Sequence, residues 1–184
     1  MGAGSVACHR ETDVIWLRFP AAEYSEVSVP HWVLDFFSTP PESAGLVGGE
    51  DGYCILQWPA DFPLQRLTPP GAELGEHTGR ALIATCAASE PIINGTLING
   101  TVIDGCKADI HFRYFAPQYG VLEDAATGSA MRVLVGYWRD AFRGKVMTAY
   151  QCSPDGGWLS GRAHGSDVWV GGTVAVDRAS RVNG

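Results

Sequence analysis

The sequence predicts an α+β fold in which a mixed β-sheet or barrel wraps around a central helix. Three observations predict it. Short runs rich in β-branched and aromatic residues recur along the chain, punctuated by 23 glycines and 11 prolines. One segment, residues 129–142, carries a long apolar stripe at helical spacing. The chain has 184 residues, 46% hydrophobic and 18% charged, enough to bury a core around such a helix.

Residues 14–19 (VIWLRF) read as a strand stopped by Pro20. After Val29-Pro30, residues 31–38 read as a short helix, with Ser28 as its cap and Pro40-Pro41 as its end. Residues 53–58 (YCILQW) form a second strand closed by Pro59, residues 63–67 a helical turn, and residues 81–87 (ALIATCA) an apolar strand. Residues 92–104 (IINGTLINGTVID) hold two Asn-Gly pairs five residues apart, Asn94-Gly95 and Asn99-Gly100, which suggest a hairpin with tight turns. The INGT echo is too short for a repeat architecture.

Residues 109–115 alternate. Ile110, Phe112 and Tyr114 point one way, and His111, Arg113 and Phe115 the other. Ala116-Pro117 ends this strand and a polar loop follows to Gly128. The helix comes next, its stripe made of Ala130, Val133, Leu134, Tyr137, Trp138, Ala141 and Phe142, with Gly144 at its stop. The tail returns to strands at 145–151, 158–163 and 168–176, with a bulge expected at Gly171-Gly172 and a frayed end at 179–184.

The bulk numbers exclude several function classes. A net charge of -7 gives no basic footprint for nucleic acid or an anionic membrane. No apolar run approaches the roughly 18 residues of a membrane span. The opening MGAGSVACHRETD lacks the apolar stretch of a secretion signal, so the expected location is cytoplasmic. Cys8, Cys54, Cys86, Cys106 and Cys152 are widely spaced with no CxxC pair, and read as free thiols. His9, His31, His77, His111 and His164 show no ligand spacing, so neither a metal site nor a cofactor is expected.

The chemistry concentrates in Arg113–Ala130 (RYFAPQYGVLEDAATGSA). An acidic loop, Glu123-Asp124, leads through Thr127-Gly128-Ser129 into the helix. The first backbone N–H groups of a helix have no internal partner and carry the positive end of its dipole. A small anion such as a substrate carboxylate docks there. Gly128 leaves the approach open, and the hydroxyls of Thr127 and Ser129 add donors beside Ala130. Asp124, just ahead of this anion seat, is placed to exchange a proton with a bound substrate if burial raises its pKa. A plainer reading stands beside this one: Thr127 or Ser129 caps the helix, and Asp124 complements the dipole or holds a turn.

The same segment resembles the signature of the phenazine-biosynthesis PhzF-like family, which shares the diaminopimelate-epimerase fold. That signature reads Arg-Phe-Phe-Ala-Pro, a Gly-Val loop, then Glu-Asp-Pro-Ala-Thr-Gly-Ser-Ala. Here it stands as Arg113-Tyr-Phe-Ala-Pro117, Gly120-Val121 and Glu123 to Ala130, with Ala125 in place of proline, which costs loop rigidity but no chemical group. Weaker blocks continue the resemblance at Leu17-Arg-Phe-Pro20, Tyr137-Trp138, Gln151-Cys-Ser, Gly156-Gly157 and Val170-Gly-Gly-Thr-Val. The resemblance implies cofactor-free isomerisation or epimerisation next to a carboxylate. In it Asp124 and Ser129 would move or steady the proton, and Thr127, Gly128, Ser129 and Ala130 would bind the substrate carboxylate.

The family pairs two lobes across a cleft, and its first lobe brings a catalytic glutamate and a Gly-His-x-Thr motif. Neither is visible here, and no cysteine lies in the Asp124–Ser129 loop for a two-thiol mechanism. Residues 1–47 therefore read as a remnant of the first lobe, 48–178 as the second lobe and 179–184 as a tail. A homodimer placing two Asp124 loops face to face, or a separate chain, would have to complete the site. Two readings stay open: an isomerase completed by association, and a non-catalytic module that keeps the carboxylate seat.

Overall fold

The computed structural model describes residues 7–11, 13–89, 96–98, 101–103 and 107–173. Ten strands form one sheet: β1 (Ala7–Glu11), β2 (Val14–Pro20), β3 (Tyr24–Val27), β4 (Ser43–Val47), β5 (Tyr53–Gln57), β6 (Ala81–Ala87), β9 (Ile110–Phe115), β10 (Met147–Gln151), β11 (Gly157–His164) and β12 (Asp167–Thr173). Between β6 and β9, β7 (Thr96–Ile98) and β8 (Thr101–Ile103) pair as a separate hairpin. The helices are α1 (Val33–Phe36), α2 (Gly128–Tyr137) and α3 (Arg139–Phe142).

The sheet order is β1-β2-β12-β11-β10-β9-β6-β5-β4-β3. Only β5 with β6 and β9 with β10 are parallel; the other neighbours are antiparallel. The chain passes from β2 to β3 through three residues, 21–23, although eight strand spacings separate the two in the sheet. In a flat sheet that gap would be about 38 Å at ~4.8 Å per strand. Extended backbone from Pro20 to Tyr24 reaches only about 14 Å. The sheet must therefore curl until its two ends approach each other.

Helix α2 fills the curl. Ala130, Met131, Val133, Leu134 and Val135 share one buried cluster with Ile55, Ile83, Ile110, Phe112, Ala149, Leu159 and Val168. Gly161 of β11 faces Met131 and Val135, and a Cβ there would collide with both side chains. The connection from β2 to β3 crosses the outer side of the same helix. Arg132 Nε donates to the Pro20 carbonyl at 3.1 Å, and a Cβ on Gly136 would stand 3.0 Å from the Ala22 carbonyl oxygen.

The opposite face of the sheet has its own core. Trp58, Leu64, Leu74, Leu82, Leu56 and Phe115 are fully buried there, under α1 and the two 3-10 turns Leu64–Arg66 and Ala72–Glu76. The alternation of 110–115 divides as its pattern predicts. Ile110, Phe112 and Tyr114 pack toward α2, and Phe115 toward the second core.

Several local expectations are corrected. The helix near 31–38 is only Val33–Phe36, and it starts on Pro30 and His31 carbonyls rather than on a Ser28 cap. The helix of 129–142 is two segments, because Trp138 (ψ 7°) breaks the helical path. No bulge forms at Gly171-Gly172: β12 keeps one-to-one register with β2 there, and the bare Gly171 leaves room for the Trp16 ring. The Asn94-Gly95 and Asn99-Gly100 turns, Cys106, the residues beyond 173 and the first six residues lie outside the described residues. No helix among the described residues is long and apolar enough to cross a membrane.

Candidate active site

The parallel pair β9 and β10 requires a crossover, and residues 116–127 plus α2 supply it. The crossover leaves β9 through a 3-10 turn, Pro117–Tyr119, closed by Gly120 in the left-handed region (φ 79°). A buried ion pair then anchors the loop. Arg113 on β9 donates through Nε and a terminal nitrogen to both oxygens of Glu123, each at 2.6 Å, and the two side chains are 4% and 8% exposed. Arg113 also donates to the Leu64 and Leu67 carbonyls and lies 4.8 Å over the Phe115 ring. All three nitrogens of this guanidinium are bonded inside the protein, so it is a structural anchor.

Asp124 follows directly, half-buried. Its Oδ1 accepts from the Ala125 N–H at 2.9 Å and its Oδ2 from the Thr127 hydroxyl at 2.7 Å. The proline usual at 125 in the resembling signature has no N–H, so Ala125 supplies a bond that proline cannot. Gln151, fully buried at the end of β10, brackets the loop from beneath. Its side-chain oxygen accepts from the Thr127 N–H at 2.7 Å and its amide donates to the Asp124 carbonyl. Ser153 donates to the Ala125 carbonyl at 2.9 Å. Gly157 completes the bracket, since a Cβ there would stand 2.9 Å from the Ala126 Cβ.

Thr127 joins this bonded loop to the helix. It occupies the N-cap position of α2 but makes no side-chain cap bond; its hydroxyl points to Asp124 instead. Ser129 is exposed within the first turn. The Met131 N–H closes the first helical bond onto the Thr127 carbonyl at 3.1 Å. The N–H groups of Gly128, Ser129 and Ala130 have no partner among the described residues, as the geometry of a helix start dictates. A Cβ built on Gly128 meets nothing within 4 Å, so the space before these donors is open.

Of the five residues singled out from the sequence, Asp124 and Thr127 are hydrogen-bonded to each other, while Gly128 and Ser129 line the open helix start. Ala130 differs: its side chain is fully buried in the core, and only its backbone belongs to the site. Tyr114 borders the loop, its carbonyl accepting from the Asp124 N–H at 3.3 Å and its ring 6.4 Å from that of Tyr53. Burial, reinforced by Tyr53, Tyr119 and the Asp124 carboxylate, pushes the Tyr114 hydroxyl up from its ordinary pKa. Sequence reasoning missed Gln151 and Ser153 as brackets. The available signal was a glutamine on the inward parity of an otherwise apolar strand, MTAYQ.

Among the described residues no three His, Cys, Asp or Glu side chains are grouped to hold a metal ion. Burial raises the Cys54 thiol to about 11, and those of Cys86 and Cys152 to about 12.

The geometry is that of an α+β protein with a mixed sheet around a motif-bearing helix, and known proteins share it. The PhzC-PhzF family model, described as phenazine biosynthesis-like protein, matches residues 87–166. An uncharacterized isomerase of Pseudomonas aeruginosa is 28% identical over 180 residues, covering 98% of this chain and 61% of that protein. The mouse phenazine biosynthesis-like domain-containing protein 1 is 49% identical over 70 residues, 37% of this chain and 24% of its own. A PhzF family crystal structure from Enterococcus faecalis superposes with a TM-score of 0.71 at 22% identity, over 91% of this chain and 57% of that one. A putative PhzC/PhzF protein from Clostridium difficile gives 0.69 at 21% identity, over 90% and 56%. The chain is thus similar to PhzF-type proteins in fold and over residues 87–166, and it spans about three fifths of the length of the relatives it matches most extensively (61% and 57%).

Proposed function

We propose that this chain is an isomerase or epimerase of PhzF-like type, acting by cofactor-free proton transfer next to a substrate carboxylate. The observation that carries the reading is the open start of α2, where three unpartnered N–H groups stand beside a fixed carboxylate. The substrate carboxylate docks on the N–H groups of Gly128, Ser129 and Ala130, with the Ser129 hydroxyl as a further donor. Asp124 keeps free lone pairs on both oxygens after accepting its two bonds, and so can accept or guide a proton. The name of the Pseudomonas relative agrees with an isomerase.

Proton removal and return on opposite faces of a carbon need two groups, and this loop supplies one. No histidine, cysteine or second carboxylate is hydrogen-bonded to Asp124 among the described residues. A second copy of the chain, or a separate first lobe, completes the site in this reading. Residues 48–178 then carry the substrate seat as the second lobe, and residues 1–47 are a remnant of the first. The same observation favours a second reading, a carboxylate-binding module without turnover.

Solvent-exchange measurements separate the two. Candidate amino and enol acids are incubated in D₂O with wild type and with Asp124→Asn, and deuterium next to the carboxylate is followed by proton NMR. The isomerase reading expects uptake with wild type that falls at least a hundredfold with Asp124→Asn. Equal absence of uptake in both would leave only the binding reading.

A further inference from the structure

The curled sheet does not close over α2. Its two ends leave a seam along the helix positions 128, 132 and 136, and the segment of residues 21–23 crosses that seam at Gly136. On the N-terminal side of the crossing the seam is a groove of about 500 Å³, lined by Val47, Gly48, Tyr53, Arg132, Val133 and Glu23 among others. Arg132 is half-buried in its wall. Its Nε donates to the Pro20 carbonyl and its guanidinium lies 6.0 Å from the Phe19 ring, which fixes the stem and leaves the two terminal nitrogens free. Among the described residues no carboxylate stands within ion-pair distance of it. Glu23 lines the same groove from an exposed position, without reaching Arg132.

A guanidinium whose two terminal nitrogens have no partner among the described residues, lining an open groove, is a binding group in search of an anion. We infer that this groove is a second acidic subsite, and that Arg132 selects ligands carrying a carboxylate or similar acidic group on a short apolar body. Val47 and Val133, 6% and 2% exposed, and the Tyr53 ring provide the apolar wall for that body. Glu23 repels a second charge at the rim, so the groove takes one acidic group. Arg132 lies one turn beyond Gly128, about 6 Å along the axis at ~1.5 Å per residue. If the proposed function holds, a ligand spanning both places is a short dicarboxylate, with the reacting end at the helix start and the far end at Arg132.

Calorimetric titration of the full chain with butyrate and with glutarate tests this. Wild type is expected to bind glutarate about tenfold more tightly than butyrate, the difference being one charge-assisted contact. Arg132→Gln keeps a donor of similar shape without the charge and should reduce the preference below twofold; Arg132→Lys should retain part of it. A preference unchanged in Arg132→Gln, with the circular dichroism of wild type, overturns the inference while leaving the helix-start seat intact. Butyrate and glutarate binding that both fall in Arg132→Gln would support the groove and count against that seat. Binding of neither acid overturns both.

Discussion

The sheet contains two parallel pairs, and each demands a crossover. The connection from β5 to β6 runs under one face through two 3-10 turns and buries Trp58, Leu64 and Leu74 completely. The connection from β9 to β10 carries the apolar face of α2 across the other side, but the loop before the helix is tied by polar groups, Glu123 and Thr127 with Arg113 and Gln151 of the flanking strands, each hydrogen-bonded. The first is held by area removed from water, which tolerates approximate shapes. The loop of the second is held by directional bonds, which fail one at a time and at high cost inside a protein. The polar crossover is also the one that delivers a helix start facing open space, so in this fold directional bonding and the candidate chemistry coincide.

The largest effect should come from splitting the buried ion pair. Arg113→Met leaves the Glu123 carboxylate buried without its cation, and urea unfolding should show a loss of about 3–5 kcal/mol. The double variant Arg113→Met/Glu123→Leu should recover most of it, which distinguishes an uncompensated charge from a lost shape. In the apolar crossover, Leu74→Ala should cost about 3 kcal/mol through the cavity it leaves. It should leave carboxylate affinity within twofold of wild type, because Leu74 packs in the core on the face of the sheet away from α2.

Next in size is Gln151→Leu, which strips the Thr127 N–H and the Asp124 carbonyl of their partners. A loss of about 1–3 kcal/mol is expected, together with a weaker carboxylate affinity that Leu74→Ala does not share. Ala125→Pro should cost about 1 kcal/mol through the lost bond to Asp124 Oδ1, read as a small shift of the unfolding midpoint. The smallest effect is in pH. Burial holds His111 below its ordinary pKa of 6.5, with Asp61 opposing in part. The folded state therefore prefers the neutral ring, and stability present above pH 6.5 is lost as the pH falls through the folded value. His111→Gln should flatten that acid slope; an unchanged slope would assign it to other groups.

The strongest sequence signals were those with a period. The alternation of 110–115 and the stripe of 129–142 located the central strand and helix because each buries one well-defined set of side chains. The EDAATGSA segment located the loop because its acidic and hydroxyl residues stand apart from the apolar runs on either side. Strands β1 and β3 escaped notice because they are edge strands, with all five residues of β1 exposed and therefore no buried face to leave a pattern. The role of Gln151 escaped because it depends on β10 lying parallel beside β9, under the loop that leaves β9, a contact that local spacing does not encode. The sharp bend at Trp138 and the regular register at Gly171-Gly172 were likewise decided by packing, against the Thr85 hydroxyl in one case and the Trp16 ring in the other.

The central claim is that the start of α2 beside Asp124 is a carboxylate seat. Nitrogen-edited NMR titration of the labelled chain with butyrate tests it directly. The account predicts saturable shifts that share one affinity at the amides of Gly128, Ser129 and Ala130, with Asp124 and Thr127 following. Amides at these five positions that stay still while others move, or that do not respond at all, would contradict it.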